Sequence, residues 1–222
     1  MIRLSRHGIR EMVVGSLLLG LLWWALAHFT HRCWAGAAVL PIWVWLFAFF
    51  RDPERPIPAD PNIMVSPADG TVSDITELDS VETLGGPALR IGIFLSVFNV
   101  HINRSPCDAK VVSVAYKKGK FINAMNHRQA SDMNEATTIV LADPKTGKPI
   151  AVVRQIVGLI ARRIVCDATP DALLKRGQRI GLIKFGSRTE LIVPKWMNPV
   201  PKVRIGQKVR GAIDIVAEVK GA

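Results

Sequence analysis

The stretch that decides the fold reads RIGLIKFGSRTELIVP and runs from Arg179 to Pro194. Two apolar runs in it, Ile180 to Phe185 and Leu191 to Val193, have the composition of buried β-strands. The step Gly186-Ser187 and the polar residues 188–190 separate these runs. Because glycine, serine and charged residues interrupt an apolar strand, we predict two strands joined by a turn here.

The Gly186-Ser187 step also permits a chemical interpretation. A serine hydroxyl can attack the carbonyl of the preceding residue only when that carbonyl swings close, and a glycine has no Cβ to obstruct the strained geometry. A Gly-Ser pair alone is a weak motif that a simple turn also explains. Ser187 is therefore a candidate nucleophile for self-processing, and other motifs in the chain are needed to support this role.

Two nearly uncharged apolar runs, Val13 to Phe29 and Cys33 to Phe50, lie near the N-terminus. Each would be about 26 Å long as a helix, slightly less than the roughly 30 Å of a bilayer hydrocarbon core. They predict a tight helical hairpin over residues 13–50 that spans a membrane or dips into it. Arginines flank it on both sides, which puts both ends on the cytoplasmic face by the positive-inside rule. These arginines are Arg3, Arg6, Arg10, Arg51 and Arg55.

Two alternatives compete with a membrane hairpin. Arginines, an apolar run and the stretch Ala25-Leu26-Ala27 imitate a cleaved signal peptide, but cleavage would leave the second apolar run exposed. A pair of core helices in a soluble protein would keep a polar face, and neither run has one. We therefore favour a membrane-associated protein whose remaining bulk is cytosolic.

Basic charge is spread over the chain, which has 222 residues and a formal net charge of +11. Nucleic acid is one possible partner, but aromatic residues are sparse beyond the hairpin and no helix-turn-helix or finger spacing is present, so we predict no nucleic-acid partner. An anionic membrane surface is the simpler explanation. Three scattered cysteines, Cys33, Cys107 and Cys166, form neither a paired framework nor a metal spacing and fit a reducing cytosol.

A proline-rich segment between Arg51 and Pro67 resists helix and sheet and marks a domain boundary. We therefore divide the chain into residues 1–51 and residues 52–222. Helical patterns in the second part are limited to Pro170–Lys175 and part of Asn123–Asn134. The second part is predicted to be mainly β, an antiparallel sandwich or partly open barrel. Beyond the opening stretch, the predicted strands cover residues 71–75, 88–97, 111–116, 137–141, 150–157 and 164–165.

Turn signals support this β-rich reading. Residues 143–147, DPKTG, predict a hairpin turn. Residues 176–181, RGQRIG, are echoed by residues 205–210, IGQKVR, and each pattern predicts a glycine turn that begins a strand. Such Gly-Gln turns occur in hammerhead-like sandwich hybrids of the biotinyl-lipoyl type. Two copies are too few for a repeat protein.

Two further polar residues stand out from the β-rich background. Asp69 lies in a turn at the end of the proline-rich segment, and turn chemistry alone explains an Asp-Gly step. His101 follows a predicted strand, where a lone histidine is usually structural. Together with Ser187, however, they supply the carboxylate, imidazole and hydroxyl that nucleophilic catalysis requires. Sequence order does not show whether the three meet in space.

Several motifs of this chain resemble those of phosphatidylserine decarboxylase proenzymes, in the short form found in many bacteria and archaea. The resemblance covers residues 49 to about 219 and keeps the motifs in the same order. They are FRDPERPIP (50–58), SPADGTV (66–72), FNVHINRSP (98–106), GKFINA (119–124) with the later NE (134–135), and RIGLIKFGSRTEL (179–191).

The resemblance implies that the chain cleaves itself before Ser187, that Ser187 becomes a pyruvoyl group and that Gly186 becomes a new carboxyl terminus. Residues 1–186 and 187–222 would then form a β/α heterodimer, with the oligomeric state beyond that left open. Asp69 and His101 would complete the self-cleavage triad. The pyruvoyl ketone would form a Schiff base with phosphatidylserine in the anionic membrane and release CO2 to give phosphatidylethanolamine. No pyridoxal phosphate and no metal are implied.

Two departures from the family pattern matter for the chemistry. Longer relatives carry Leu-Gly-Ser-Thr where this chain has residues 185–188, FGSR, and a second histidine where this chain has Phe98. The second departure leaves open which group reprotonates the product, and His101 is the candidate. Basic residues close to the motifs are candidates for binding the lipid headgroup. They are Arg104, Lys118, Lys120 and Arg188.

Three other functions remain as alternatives. A membrane-tethered metallopeptidase of the sandwich-hybrid type would need more histidines than His101 and His127, which are all that the second part contains. A non-catalytic, lipoyl-like adaptor would stay a single uncut chain. A pyruvoyl decarboxylase of soluble amino acids would not need the membrane hairpin.

Overall fold

The computed structural model describes residues 2–121, 131, 133–158, 163–184 and 186–220. The chain folds into two compact units, Met1–Glu54 and Arg55–Ala222. Short 3-10 helices accompany the longer elements of both units, at Arg6–Gly8, Cys33–Val39, Glu82–Leu84 and Lys195–Met197.

The first unit is a helical hairpin. Its helices are α1 (Ile9–Thr30) and α2 (Leu40–Phe49), and strands β1 (Ile2–Leu4) and β2 (Arg51–Pro53) pair antiparallel to join its two ends. The Trp43 indole N–H donates a hydrogen bond of 2.9 Å to the Ser16 hydroxyl and links α2 to α1. This contact satisfies two polar groups that would otherwise lie on apolar helices.

The apolar arms of this hairpin differ in length. Among the described residues, one helical stretch, Arg6–Thr30, is long and apolar enough to cross a membrane, whereas Trp34–Phe49 is shorter. At about 1.5 Å per residue, α1 is roughly 33 Å long, which matches the hydrocarbon core of a bilayer. Length and composition therefore fit membrane association through α1.

The second unit is built almost entirely from β-strands rich in valine, isoleucine and threonine, which fit a pleated, half-buried surface. In chain order they are β3 (Ile63–Val65), β4 (Gly70–Val81), β5 (Gly86–Leu95), β6 (Ile102–Arg104), β7 (Ala109–Lys117), β8 (Ala136–Ala142), β9 (Pro149–Val157), β10 (Arg163–Cys166), β11 (Leu173–Leu174), β12 (Arg179–Lys184), β13 (Ser187–Pro194), β14 (Val200–Pro201), β15 (Lys208–Val209) and β16 (Ile215–Glu218).

An eight-stranded antiparallel sheet in the order β11-β7-β8-β9-β13-β5-β4-β15 dominates this unit and curls into a half-barrel. Two three-stranded sheets, β10-β12-β6 and β14-β16-β3, accompany it. The prediction of a mainly β, antiparallel, partly open barrel is confirmed. Each predicted strand overlaps an observed one, although β4 continues six residues past the predicted end at 75 and β13 begins four residues before the predicted start at 191. The turn at 143–147 joins β8 to β9.

The two Gly-Gln turns are built alike, as their sequences predict. In each, the glutamine side chain accepts a hydrogen bond from the backbone N–H three residues earlier, at 2.9 Å for Gln178 and 3.1 Å for Gln207. Gly177 has φ +74° and Gly206 has φ +85°, the left-handed region that favours glycine. The turns lead into β12 and β15 respectively.

Two local predictions need correction. The segment Pro170–Lys175 is not a helix but a turn followed by β11, which pairs with β7 through Leu173 and Leu174. Tertiary pairing overrides the weak local helix preference there. The other predicted helix, within Asn123–Asn134, lies largely outside the described residues.

The largest departure concerns the polar residues 188–190, which were predicted to be a turn. They lie in β13, which is buried along its whole length between β5 and β9. Thr189 shares one face of β13 with the core residues Leu191 and Val193, and Arg188 and Glu190 lie on the other face. The strand therefore begins at Ser187 itself.

Charge pairing explains why this strand tolerates burial. The Arg188 guanidinium lies 2.7 Å from Asp74 and donates a hydrogen bond of 3.0 Å to Glu190 and another to the Ser73 hydroxyl. Glu190 also accepts a hydrogen bond of 3.2 Å from Arg154. Burial raises the pKa of Asp74, but the charge and hydrogen bonds of Arg188, with a hydrogen bond from Ser73, outweigh it and hold this pKa below its usual value. Close pairing and additional hydrogen bonds of this kind are what offset the desolvation of buried charges.

We predict that Gly92→Ala destabilises the second unit by about 3 kcal/mol, because overpacking and a disturbed buried ion pair add together. A Cβ at position 92 would lie 2.1 Å from Arg188 Nη2 and 2.4 Å from Asp74 Oδ1. Thermal and denaturant unfolding would measure the loss. Gly20→Ala is the control, since a Cβ there would meet no atom within 4 Å apart from its chain neighbours and the backbone of its own helix. Equal stabilities of the two variants would contradict the prediction.

Candidate active site

Ser187 is the first residue of β13, where it pairs with Leu95 of β5 and Val157 of β9. Its side chain is fully buried, and its hydroxyl oxygen makes no hydrogen bond to the residues that the structure describes. A buried hydroxyl without a partner loses about 1–3 kcal/mol relative to a hydrogen-bonded one. A serine nucleophile is activated by a base within hydrogen-bond reach, and the structure shows no hydrogen bond from Ser187 to His101 or to another described base.

Gly186 precedes this serine in a left-handed backbone conformation, with φ +64°. The nearest atom to a Cβ placed there would be Val97 Cγ1, at 3.9 Å. Space is therefore available, and the backbone angle is what favours glycine. Gly186 therefore has a backbone conformation that glycine adopts without strain, and its role as the residue attacked by Ser187 stays a prediction.

His101 reaches the same end of the fold through β6. It directly precedes this strand, and its carbonyl accepts a backbone hydrogen bond of 3.4 Å from Ile183 of β12. Since β12 leads within a few residues to Ser187, pairing of β6 with β12 brings His101 to the segment that contains the Gly-Ser step. The histidine side chain is fully buried.

The hydrogen bond of the imidazole fixes its tautomer. Nδ1 of His101 lies 3.0 Å from the carbonyl oxygen of Asn99. A carbonyl can only accept, so Nδ1 carries the proton and Nε2 of the neutral ring has a lone pair. Asn99 is itself fixed, because its side-chain oxygen accepts hydrogen bonds from the Ser96 backbone at 2.9 Å and the Ser96 hydroxyl at 2.8 Å. The loop between β5 and β6 therefore presents the histidine in the form that can accept a proton.

Asp69 lies between β3 and β4 and is tied to other partners. Its Oδ2 lies 2.7 Å from Arg55, and its Oδ1 accepts a hydrogen bond of 2.8 Å from the Gly211 backbone. Arg55 donates a second hydrogen bond of 2.9 Å to the Gly211 carbonyl, which closes a ring of three residues. Among the described residues the Asp69 carboxylate makes no hydrogen bond to His101, whose Nδ1 faces Asn99. Asp69 as the residue that orients the imidazole stays a prediction.

The strand register still places Asp69 near the other candidates. Thr71 of β4 and Arg188 of β13 both pair with Phe94 of β5, on opposite sides of that strand. Asp69 and Ser187 therefore flank the end of β5, about two strand spacings or roughly 10 Å apart. The loop that holds His101 begins at this same end. The fold thus brings the three predicted catalytic residues to one end of the eight-stranded sheet.

A cavity of about 670 Å³ opens at this end of the sheet. Asp69 and Asn99 line it, together with the highly exposed side chain of Phe98. By the family resemblance, longer relatives carry a second histidine at the position of Phe98, where this chain has an exposed apolar ring.

The four headgroup candidates differ in exposure. Arg104 is buried and donates a hydrogen bond of 3.0 Å to the Gly177 carbonyl, and Arg188 is the buried partner of Asp74. Both guanidinium groups therefore face protein acceptors in this structure. Lys118 and Lys120 are exposed.

Polar residues that the sequence analysis did not assign to the site surround β13. Asn103 donates a hydrogen bond of 2.9 Å to the Thr189 hydroxyl and accepts one of 2.9 Å from Gln155. All three side chains are fully buried on the face of β13 that carries Ser187. Asn103 and Thr189 lie inside quoted motifs, which was the available signal, but a pairing 86 positions apart is not visible in a sequence. Arg55 and Asn99 also lie inside quoted motifs, and their contacts with Asp69 and His101 were missed for the same reason.

Neither of the two described free cysteines offers a competing nucleophile. Burial raises the pKa of Cys107 to about 12, and burial also raises the pKa of Cys166. Both thiols therefore stay protonated near neutral pH, and the thiol is the unreactive form. The described residues contain no group of three or more histidine, cysteine or carboxylate side chains that could hold a metal ion.

Comparison with known proteins identifies the family. The family model described as phosphatidylserine decarboxylase matches residues 44–217. A relative from Carboxydothermus hydrogenoformans is 43% identical over 85% of this chain and 86% of its own. A relative from Desulfotalea psychrophila is 45% identical over 77% of this chain and 78% of its own. A relative from Cupriavidus pinatubonensis is 40% identical over 93% of this chain and 91% of its own. Each is named phosphatidylserine decarboxylase proenzyme. The chain therefore belongs to the phosphatidylserine decarboxylase family of carboxy-lyases.

Proposed function

We propose that this chain is a proenzyme that cleaves itself between Gly186 and Ser187 and then converts phosphatidylserine to phosphatidylethanolamine and CO2. The observation that carries the proposal is the buried Ser187 hydroxyl, which has no hydrogen-bond partner among the described residues and directly follows a glycine in the left-handed conformation. Membership of the family supports the substrate.

Self-cleavage follows from the groups at this end of the sheet. Nε2 of His101 takes the hydroxyl proton, and Ser187 Oγ attacks the Gly186 carbonyl, so that the peptide bond is exchanged for an ester. Loss of the Ser187 α-proton then expels Gly186 as a free carboxylate and leaves dehydroalanine at position 187. Water hydrolyses its imine form and releases ammonia. Residues 1–186 and 187–222 become the two chains of the mature enzyme.

The surroundings of position 187 fit a pyruvoyl group. The site is closed to solvent, and the Ser187 oxygen and the side-chain oxygen of Gln155 are both buried without hydrogen-bond partners among the described residues. Such a group supplies a ketone that condenses with the substrate amine and an adjacent carbonyl that accepts the electron pair left by CO2. Burial excludes water, which would compete for that electron pair by protonation at the wrong stage.

His101 is the proton donor that we assign to the end of the reaction. After it accepts a proton, the imidazole is held by the Asn99 carbonyl through Nδ1, so the second proton lies on Nε2. Phe98 has no exchangeable proton to offer at the position of the second histidine of longer relatives. Lys118 and Lys120, which are exposed, remain the candidates among the four predicted cations for attraction of the anionic headgroup.

We place the enzyme on the cytoplasmic face of the cell membrane, held through residues 13–50. The length of α1 supports this location, as does the surplus of arginine on both sides of the hairpin. A double-chain lipid does not leave the bilayer readily, so the active site has to work at the headgroup layer.

The first prediction from this proposal is that purified protein consists of two chains, 1–186 and 187–222. Intact mass spectrometry should show a C-terminal fragment with a blocked amino terminus, lighter than a serine-initiated peptide because ammonia has been lost. Ser187→Ala removes the attacking oxygen and should leave one intact, inactive chain. Ser80→Ala, at an exposed serine, is the control and should cleave normally. Decarboxylation by an uncut chain would show that the proposal is wrong.

A second prediction ranks the two other catalytic candidates. His101→Ala should slow self-cleavage by about a hundredfold or more, because a general base contributes that much. Asp69→Asn should be milder, since Asp69 bonds to Arg55 and Gly211 while the imidazole keeps its bond to Asn99. A time course of chain separation on gels measures both rates. Asp79→Asn, at an exposed aspartate, is the control. An Asp69→Asn defect larger than that of His101→Ala would refute this order.

A third prediction concerns the hairpin. The full chain should sediment with membranes, and a chain that begins at Arg51 should be more soluble yet still cleave itself, because Asp69, His101 and Ser187 all follow this point. Membrane fractionation and mass spectrometry test both halves. If a folded truncated chain fails to cleave, the hairpin contributes to the catalytic site.

A further inference from the structure

Two β-sheets face each other at Ser187, and the larger one presents four side chains to the smaller one there. In the eight-stranded sheet, Ser187 and Thr189 of β13 pair directly with Val157 and Gln155 of β9. Paired residues share a face of a sheet, and so do alternate residues of one strand. All four side chains therefore point to the same side of the eight-stranded sheet, the side that carries the main core.

Strand β12 of the three-stranded sheet β10-β12-β6 covers β9 on this side. The Ile183 side chain of β12 packs against Val157 of β9. A Cβ on Gly181, two residues earlier in β12, would lie 2.9 Å from the amide nitrogen of Gln155. Ile183 therefore lies at the same level as Val157, and Gly181 at the same level as Gln155.

Strand β6 extends the small sheet over β13. Asn103 of β6 pairs with Gly181 of β12. One level further along, the backbone N–H of Ile183 donates a hydrogen bond of 3.4 Å to the His101 carbonyl. Because alternate side chains of an extended segment share a face, His101 and Asn103 both point toward the eight-stranded sheet.

One hydrogen bond joins β6 to β13 across the two sheets. The Asn103 side-chain amide donates it to the Thr189 hydroxyl over 2.9 Å. His101 lies two residues before Asn103, and Ser187 lies two residues before Thr189. Ile183 marks the level of His101 in the small sheet and the level of the Ser187 pair in the large one. The bond from Asn103 to Thr189 therefore sets His101 opposite Ser187.

The partners of Asn103 hold its side chain in one orientation. Gln155 donates a hydrogen bond of 2.9 Å to the Asn103 side-chain oxygen, while the Asn103 nitrogen donates to Thr189. All three side chains are fully buried. A buried amide that lost these partners would not regain them from water, so sliding of one sheet past the other is opposed.

We propose that Asn103 is a positioning residue that aligns the His101 imidazole with the Ser187 hydroxyl for self-cleavage. This assignment rests on the proposed function, in which His101 is the base and Ser187 the nucleophile. Asn103 bonds to Thr189 and Gln155 rather than to the reacting groups, so it acts through the alignment of the two sheets.

Alignment matters because proton transfer depends steeply on distance. A base takes a proton from a hydroxyl when it comes within about 2.6–3.2 Å of the oxygen. A misplacement of about 1 Å can slow a reaction by roughly a hundredfold. Loss of the Asn103 bond should therefore reduce the rate of self-cleavage, by no more than loss of His101 itself does.

The test follows self-cleavage of the full-length chain on gels after cell-free synthesis in neutral detergent. Thr189→Val keeps the shape of the side chain but removes the hydroxyl, and it should slow cleavage about tenfold. Asn103→Leu, which loses both hydrogen bonds, should slow cleavage at least as much. Thr189→Ser restores the hydroxyl and should cleave at nearly the wild-type rate. Ser105→Ala is the matched control, because it removes a different buried hydrogen bond, of 2.7 Å to the Cys107 carbonyl.

A second readout separates positioning from general damage to the fold. In a His101→Ala background the base is already absent, so Thr189→Val should slow the residual cleavage by less than about twofold. Equal slowing in both backgrounds would mean that the hydroxyl of Thr189 does not act through His101 and would overturn the positioning role. Thermal unfolding of each variant shows whether it is folded.

Failure of this inference is distinct from failure of the proposed function. A wild-type chain that stays uncut would refute the proposed function, and the positioning role with it. A wild-type chain that cleaves, together with a Thr189→Val variant that cleaves as fast as Ser105→Ala, would refute the positioning role alone.

Discussion

The buried ion pair between Arg188 and Asp74, 2.7 Å apart, fixes the residue next to Ser187 in the centre of the sheet. Removal of one partner of such a pair costs about 3–5 kcal/mol, because the other charge is left buried without compensation. Gly92 of β5 leaves space for the Arg188 guanidinium, and the Glu190 carboxylate forms a second ion pair with it. With Arg188 anchored in this way, Ser187 cannot move out of the strand without breaking a buried charge pair. The position of the proposed reactive group therefore depends on a residue that has no part in the chemistry.

The strands could be predicted from the sequence because their signals are local. Runs of β-branched residues, the turn at 143–147 and the Gly-Gln turns are each decided within a few residues. The burial of Arg188 and Glu190 could not be predicted, since a charged triplet after glycine and serine is typical of a turn. It becomes possible only through Asp74 and Arg154, which reach β13 from other strands of the sheet.

The difference between local sequence signals and contacts from distant strands also applies to the candidate site. Quoted motifs contain Asp69, His101, Gly186 and Ser187, and the fold brings the segments that carry them to one end of the sheet. The hydrogen-bond and ion-pair partners of these residues could not be predicted from the sequence. Arg55 lies in the proline-rich segment, where nothing in the sequence indicates that it contacts Asp69. It binds Asp69 more strongly than a neutral imidazole N–H would, because a guanidinium forms a charge-assisted hydrogen bond. Family resemblance supplied residue types, and only the register showed which residues face one another.

The topology also explains how the proposed cleavage can occur without loss of the C-terminal fragment. Residues 187–222 contain β13, which lies between β5 and β9, and β16, which pairs with both β14 and β3. β15 adds a further pairing with β4, and Gly211 is held by Arg55 and Asp69. A cut before Ser187 breaks one covalent bond but none of these ladders. The new end of the chain therefore stays at the centre of the sheet, where two neighbouring strands and the Arg188 pair hold it in place for catalysis.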